Sequence, residues 1–292
     1  MERMRPRVSK AVVYTVLSII AFISVFPFLW MVLSSLKSYK EINQPIPTFF
    51  PESWQFSNYA DAWNKPESTF ARYYWNSIVI SVGGAFLQML VCVPIAYALA
   101  NMEFKFKNLL FVSILLTMMI PSDLTIVPNF LIIRSIPLAG GNNILGSGGK
   151  GLYDTYMGIL LPGITSGFTI FLLRQAFLSI SNDYWHASRI DGLEHIGYMV
   201  RILLPLSLAT LVTASLLTFI GRWNSVLWPL LITSSEKMRP LQVGLMYFRS
   251  EDGASPQLIM AASAFSVAPI LVLYFFVQKQ FTEAIIGAGL KG

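Results

Sequence analysis

An all-α membrane protein that crosses the bilayer six times is the expectation for this chain, and three observations carry it. Of its 292 residues, 54% are hydrophobic and 12% charged, about half the charged share of an average globular chain. The apolar residues gather into six blocks, each close to the roughly 20 residues a helix needs to cross the hydrocarbon core. No series of short alternating strands is present, as a closed barrel would require. Helices also satisfy every backbone amide within their own segment, which lipid demands.

The first block, 11–36, contains no charged residue. It outruns the apolar stretch of a signal peptide, and no small-residue cleavage pattern follows it, so it is read as a retained helix. The loop after it carries Trp54, Phe56, Tyr59, Trp63, Phe70, Tyr73, Tyr74 and Trp75. Aromatics at that density suit a membrane-interface belt, and docking of an external partner is the alternative. The second block is 76–100. The third, 109–133, is interrupted by Asp123 between Pro121 and Pro128, so a broken helix is expected there. The fourth, fifth and sixth are 156–173, 202–221 and 258–278. Segment 221–231, "GRWNSVLWPLL", is too short for a span and reads as re-entrant or interfacial. No internal repeat is visible, and 1–292 is read as a single transmembrane domain.

An even number of spans puts both ends on one side. Eleven Lys/Arg lie in four compact segments on that side: Arg3, Arg5, Arg7 and Lys10, then Lys105 and Lys107, then Arg174, Arg189 and Arg201, then Lys279 and Lys291. The other ten, Arg222 among them, are spread over longer loops. Basic density near span ends places both termini in the cytoplasm.

Several functions are excluded at this level. A net charge of +6 with no long Lys/Arg run fits span flanks, not a nucleic-acid surface. One cysteine, Cys92, precludes an internal disulfide and a Cys-cluster metal site, and only His186 and His195 could add ligands. Segment 146–151, "GSGGKG", departs from a phosphate loop at both ends: Ile144 replaces the first Gly, and Gly151 follows Lys150 where Ser or Thr belongs. No catalytic constellation is found.

One polar stretch stands apart. Residues 179–201 separate the fourth and fifth blocks, and loops of that length seldom lack structure. Ile190, Leu193, Ile196, Val200 and Leu203 recur at helical spacing. Gly192 after Asp191 suits a turn between two short helices. A linker lying on the membrane surface is one reading of this pattern.

The order of residues supplies another. "HASRIDGLEHIGYMVRILLPL" (186–206) resembles the EAA loop of ABC importer permeases, a Glu-Ala-Ala-x-x-x-Gly segment followed by Leu-Pro. Ala187 and Ser188 match the paired small residues, Asp191 and Gly192 the core, and Leu204 and Pro205 the exit. His186 stands where the family has Glu. "FIGRWNSVLWPL" (219–230) is similar to the Trp-Asn…Pro-Leu segment of carbohydrate importer permeases. The tail "GAGLKG" (287–292) is similar to the ending of the second permease in maltose-type systems, and "NSIVISV" and "FTIFLLRQAF" also fit their places.

This resemblance covers nearly the whole chain. It implies the type I importer bundle and a permease of an ATP-driven carbohydrate importer, with an oligosaccharide as the substrate. It also implies a sister permease, two cytoplasmic ABC ATPases that bind ATP and Mg themselves, and an extracytoplasmic solute-binding protein, all at the inner membrane. No cofactor or enzymatic activity is implied for this chain. His186, Ala187, Ser188, Asp191, Gly192 and Leu193 are the expected ATPase-coupling residues, and Lys291 and Gly292 an expected C-terminal ATPase contact. Asp123 is the pathway candidate, because ionisable groups inside spans are costly and tend to be functional. The competing account has Ser122 or Asp123 capping the next half-helix. Two further readings remain: an ABC permease for a non-sugar solute, and a stand-alone secondary transporter. The second would need paired intramembrane charges that the sequence does not offer.

Overall fold

The computed structural model describes residues 8–64, 70–251 and 255–289. In chain order the helices are α1 (Val8–Ser35), α2 (Tyr39–Ile42), α3 (Ser57–Asn64), α4 (Phe70–Asn101), α5 (Lys107–Thr117), α6 (Ile126–Arg134), α7 (Tyr156–Leu160), α8 (Gly167–Leu178), α9 (Asp183–Ile190), α10 (His195–Tyr198), α11 (Leu204–Leu206), α12 (Leu208–Trp223), α13 (Leu227–Ile232), α14 (Leu241–Glu251) and α15 (Pro256–Gly289). Among the described residues, three single helices are long and apolar enough to cross a membrane: 10–35, 70–101 and 256–278. Three bent pairs supply the remaining crossings if each counts as one, which makes six.

The bends have identifiable causes. In the third crossing, α5 ends at Thr117, Pro121 follows, and a 3-10 turn at Ser122–Thr125 leads into α6. Proline cannot donate to the helical ladder, and the two halves meet at 94°. This is the break expected around Asp123. In the fourth crossing, Pro162 lies in the 3-10 turn Leu161–Gly163 after α7. Helix α8 then restarts with Ser166, whose hydroxyl accepts from Thr169 N at 3.3 Å, and the angle is 55°. The fifth crossing carries a π-helical turn, Met199–Leu203, directly before Pro205. Pro205 leaves the Arg201 carbonyl without its usual partner, and the chain bends by 82° before α12. The fourth and fifth blocks are thus not the straight spans their composition suggests, and helix already begins at His195 instead of 202.

Chain contacts separate two compact units, 1–71 with 244–269 and 72–243 with 270–292. In the first, α1 presents Val13, Leu17, Ile20 and Ile23 outward, each more than half exposed. Beside its end, Lys37 is buried, lies 4.7 Å from the Trp30 ring and donates to the Thr48 carbonyl. Asn58 donates to the Ser35 and Lys37 carbonyls, both at 2.8 Å. Phe265 collects Tyr59, Trp63 and Phe70 at 5.5, 5.1 and 5.9 Å, which fixes part of the aromatic loop, while Trp54 and Phe56 stay exposed.

Among the described residues, two apolar cores lie in the second unit. One joins Cys92, Ala96 and Tyr97 of α4 to Ile170, Leu173 and Phe177 of α8 and to Tyr198 and Leu203. The other joins Ile80, Ile133, Ile159, Leu160 and Ile232. Asn76 ties the second core together. Its Nδ2 donates to the Lys237 and Arg239 carbonyls, both at 2.9 Å, and its Oδ1 accepts from the Tyr156 hydroxyl at 2.6 Å. The glycine-rich loop after α6 is built on Asn142, which donates to the Arg134 and Ile136 carbonyls and accepts from Gly149 N. Gly140, Gly141, Gly146, Gly148 and Gly151 all have positive φ, so its glycines serve a tight fold.

Candidate functional site

Two places in the second unit gather polar groups: the segment between the fourth and fifth crossings, and a cavity beside the breaks in the third and fourth crossings.

The first is a helix–turn–helix. Helix α9 stops at Ile190, and Gly192 has φ +79° with open space around it, as the Asp-Gly pair predicts. Leu193 N reaches back to the Ser188 carbonyl at 2.9 Å, and α10 starts three residues after the turn glycine. His195 fixes this segment to the bundle. Its Nδ1 lies 2.8 Å from the Tyr97 hydroxyl, and its ring stacks on Trp185 at 4.6 Å. Sequence reasoning missed this role of His195. The signal was a lone imidazole beside a short helix, too weak without the fold.

The turn resets the helical phase, so the expected single apolar stripe does not form. Leu203 is buried, but Ile190, Ile196 and Val200 are 88%, 74% and 51% exposed. His186, Ala187, Asp191 and Gly192 are exposed and Leu193 is half-buried. Ser188 departs from the expected outward surface. It is buried, and its hydroxyl donates to the Trp185 carbonyl at 2.7 Å. Lys291 and Gly292 lie outside the described residues.

The second place is a cavity of about 600 Å³. The break in the third crossing contributes Ser122, Thr125 and Asn129, and the break in the fourth contributes Gly163, Thr165 and Ser166. Gln88 of α4 spans the middle, donating to Thr169 Oγ1 at 2.9 Å and Thr218 Oγ1 at 3.0 Å. Trp228 of α13 lines the wall and donates to the Ile159 carbonyl at 3.1 Å, which gives segment 221–231 its place against α7. Asp123 is exposed beside this cavity and is not among its lining residues. It caps nothing either: α6 begins at Ile126 with no side-chain cap, and the preceding 3-10 turn has none.

Arg222 was expected in an outer loop. It lies in the last turn of α12, lining the cavity, and its Nη2 donates to the carbonyls of Gly163 at 2.5 Å and Leu160 at 3.4 Å. Arg222 thus supplies donors to backbone carbonyls at the break in the fourth crossing, where the helical ladder is interrupted.

A family of known proteins matches this arrangement of chain. Residues 92–286 fit the family described as binding-protein-dependent transport system inner membrane component. The chain belongs to this family. The permease is 32% identical over 269 residues to the probable ABC transporter permease YurM of Bacillus subtilis (strain 168), covering 91% of this chain and 84% of that one. It is 30% identical over 279 residues to the arabinooligosaccharides transport system permease AraQ of Halalkalibacterium halodurans, covering 94% and 93%. Its fold matches a chain in the crystal structure of a bacterial ABC transporter involved in the import of the acidic polysaccharide alginate, with TM-score 0.81, 26% identity and coverage of 96% and 98%. The permease is thus an all-α, multi-pass inner-membrane transport component, and its family is one of transporters, not enzymes.

Proposed function

We propose that this permease forms half of the translocation pathway of an ATP-driven oligosaccharide importer, a single transmembrane domain across 1–292 with both termini in the cytoplasm. A sister permease supplies the other half, two cytoplasmic ATPases drive it, and an extracytoplasmic binding protein delivers the solute. One observation carries the coupling part: around the Gly192 turn, Ile190 and Ile196 stand 88% and 74% exposed on a segment that is otherwise tied down. Large apolar side chains exposed on either side of one rigid turn support docking of that turn in a partner's cleft, because interface cores are apolar. His186, Ala187, Asp191, Gly192 and Leu193 border that surface, and Ser188 supports it from beneath. A rigid element seated in an ATPase cleft converts nucleotide-driven closure into rocking of the membrane helices. The relatives named for arabinooligosaccharides and alginate support a carbohydrate substrate. The tail, with Lys291 and Gly292, is a second ATPase contact in this reading, and Asp123 flanks the solute route.

Coupling is tested with the reconstituted complex. Gly192→Trp fills the open space at the turn and strains a positive-φ position. The expected result is at least about a tenfold fall in solute-stimulated ATP hydrolysis, with the variant still inserted in the membrane. Full stimulation would reject the coupling assignment, and purification of an active lone chain would reject the importer.

A further inference from the structure

We propose that Arg222 is an anion-recognising residue of the cavity, so that the carbohydrate carried bears a carboxylate, ester sulfate or phosphate. The inference deepens the carbohydrate reading and rests on it. Helix α4 is 32 residues long, and Gly84 lies 14 residues from its start, about 21 Å along the axis at 1.5 Å per residue. A Cβ at Gly84 would collide with Cδ, Nε and Cζ of Arg222, and one at Gly163 would lie 2.9 Å from its Nη2. The guanidinium therefore sits between two glycines, beside the middle of a spanning helix. It is permanently charged, and a charge at such depth is costly unless it has a partner.

Its protein partners are incomplete. Nη2 has two backbone carbonyls, while among the described residues Nε and Nη1 donate to no protein acceptor. Among the described residues, no Asp or Glu lines the cavity and Arg222 makes no ion pair. The other polar lining groups are hydroxyls and amides such as Gln88, Asn129, Thr165 and Ser225, which hydrogen-bond a sugar without neutralising charge. Trp228 supplies a flat apolar wall in the same cavity. A planar fork of donors facing hydroxyls and one aromatic suits an acidic sugar, because guanidinium binds carboxylate, sulfate and phosphate oxygens pairwise. The positive field has no counter-ion among the described residues, so a neutral solute would leave it uncompensated and an anionic one would supply the missing charge.

The experiment measures direct binding of labelled oligosaccharides to the purified full complex without its binding protein. The probes are an oligogalacturonate, its carboxyl-reduced neutral counterpart, and sulfated and phosphorylated oligosaccharides of equal length. One anionic probe should bind about tenfold to hundredfold tighter than the neutral one, and its identity names the anion. Arg222→Gln should erase that preference and Arg222→Lys should keep part of it. Equal binding of all probes by the unaltered complex, or a preference that survives in Arg222→Gln, would overturn the assignment. Size-exclusion of each variant covers pairing of Arg222 with a sister-subunit carboxylate: dissociation of Arg222→Gln, with no anion preference in an intact Arg222→Lys complex, also overturns it. Binding of no oligosaccharide at all would remove the carbohydrate reading itself, an outcome separate from equal binding.

Discussion

Gly84 and Gly163 leave the room that Arg222 occupies, and the two positions differ in what a methyl group would do. At Gly84 the obstructing atoms are the far end of a flexible side chain, so Gly84→Ala should move the guanidinium while leaving α4 intact. The expected outcome is a shift of less than about 1 kcal/mol in stability together with a weakened preference for anionic solute, read from unfolding and binding on the same sample. Gly151 is the opposite case. Its φ is +59°, and a Cβ there would strike the carbonyls of Ile133 and Arg134, backbone that cannot swing away. Gly151→Ala should cost about 1–3 kcal/mol, seen as a lower melting temperature in detergent. The sequence marked Gly146–Gly151 as an unusual run, but its purpose depends on where Arg134 ends α6, which composition does not reveal. Arg222 was legible only as a charge: its neighbour Trp223 is buried and α12 runs two residues past the end of the apolar block, which carries the cation to the cavity.

At the level of elements, hydropathy marked six apolar blocks that fall on three single helices and three bent pairs, and proline explained the bends, yet the two signals had to be combined. Pro121 and Pro128 flanking Asp123 were enough to expect a broken third crossing. Pro162 and Pro205 sit in uninterrupted apolar runs, where sequence alone cannot separate a mild kink from a bend of 55° or 82°. The helix–turn–helix at 183–198 was legible from Asp191-Gly192, while its fastening was not, because the Tyr97–His195 pair joins residues 98 positions apart. That bond should matter to coupling more than to folding. Tyr97→Phe keeps the ring among Trp185, Tyr198 and the surrounding core and removes one hydrogen bond, a loss of about 1 kcal/mol. The expected result is near-normal melting with reduced solute-stimulated ATPase, since the turn is then less firmly held against α4. Unchanged coupling would show that the aromatic stack alone fixes the segment.

For the whole molecule, what matters is which polar segment faces which side, and the alternation of crossings makes that testable. Leu145, at the tip of the glycine-rich loop, is 86% exposed, and Ile190 at the Gly192 turn is 88% exposed. One bent pair, 156–163 with 167–178, separates them. If that pair crosses the membrane, the two tips lie on opposite faces; if it is re-entrant, they share one. The native thiol is a convenient background, because Cys92 is fully buried and Cys92→Ser removes it for a small packing change. Leu145→Cys and Ile190→Cys in that background should react differently with a membrane-impermeant maleimide: Leu145→Cys in intact cells, Ile190→Cys only after the membrane is opened. Labelling of both in intact cells would make the fourth pair a hairpin dipping back to one face, and no ATPase on the inner side could then reach the Gly192 turn. The same two thiols therefore decide the count of crossings and the accessibility on which the coupling surface depends.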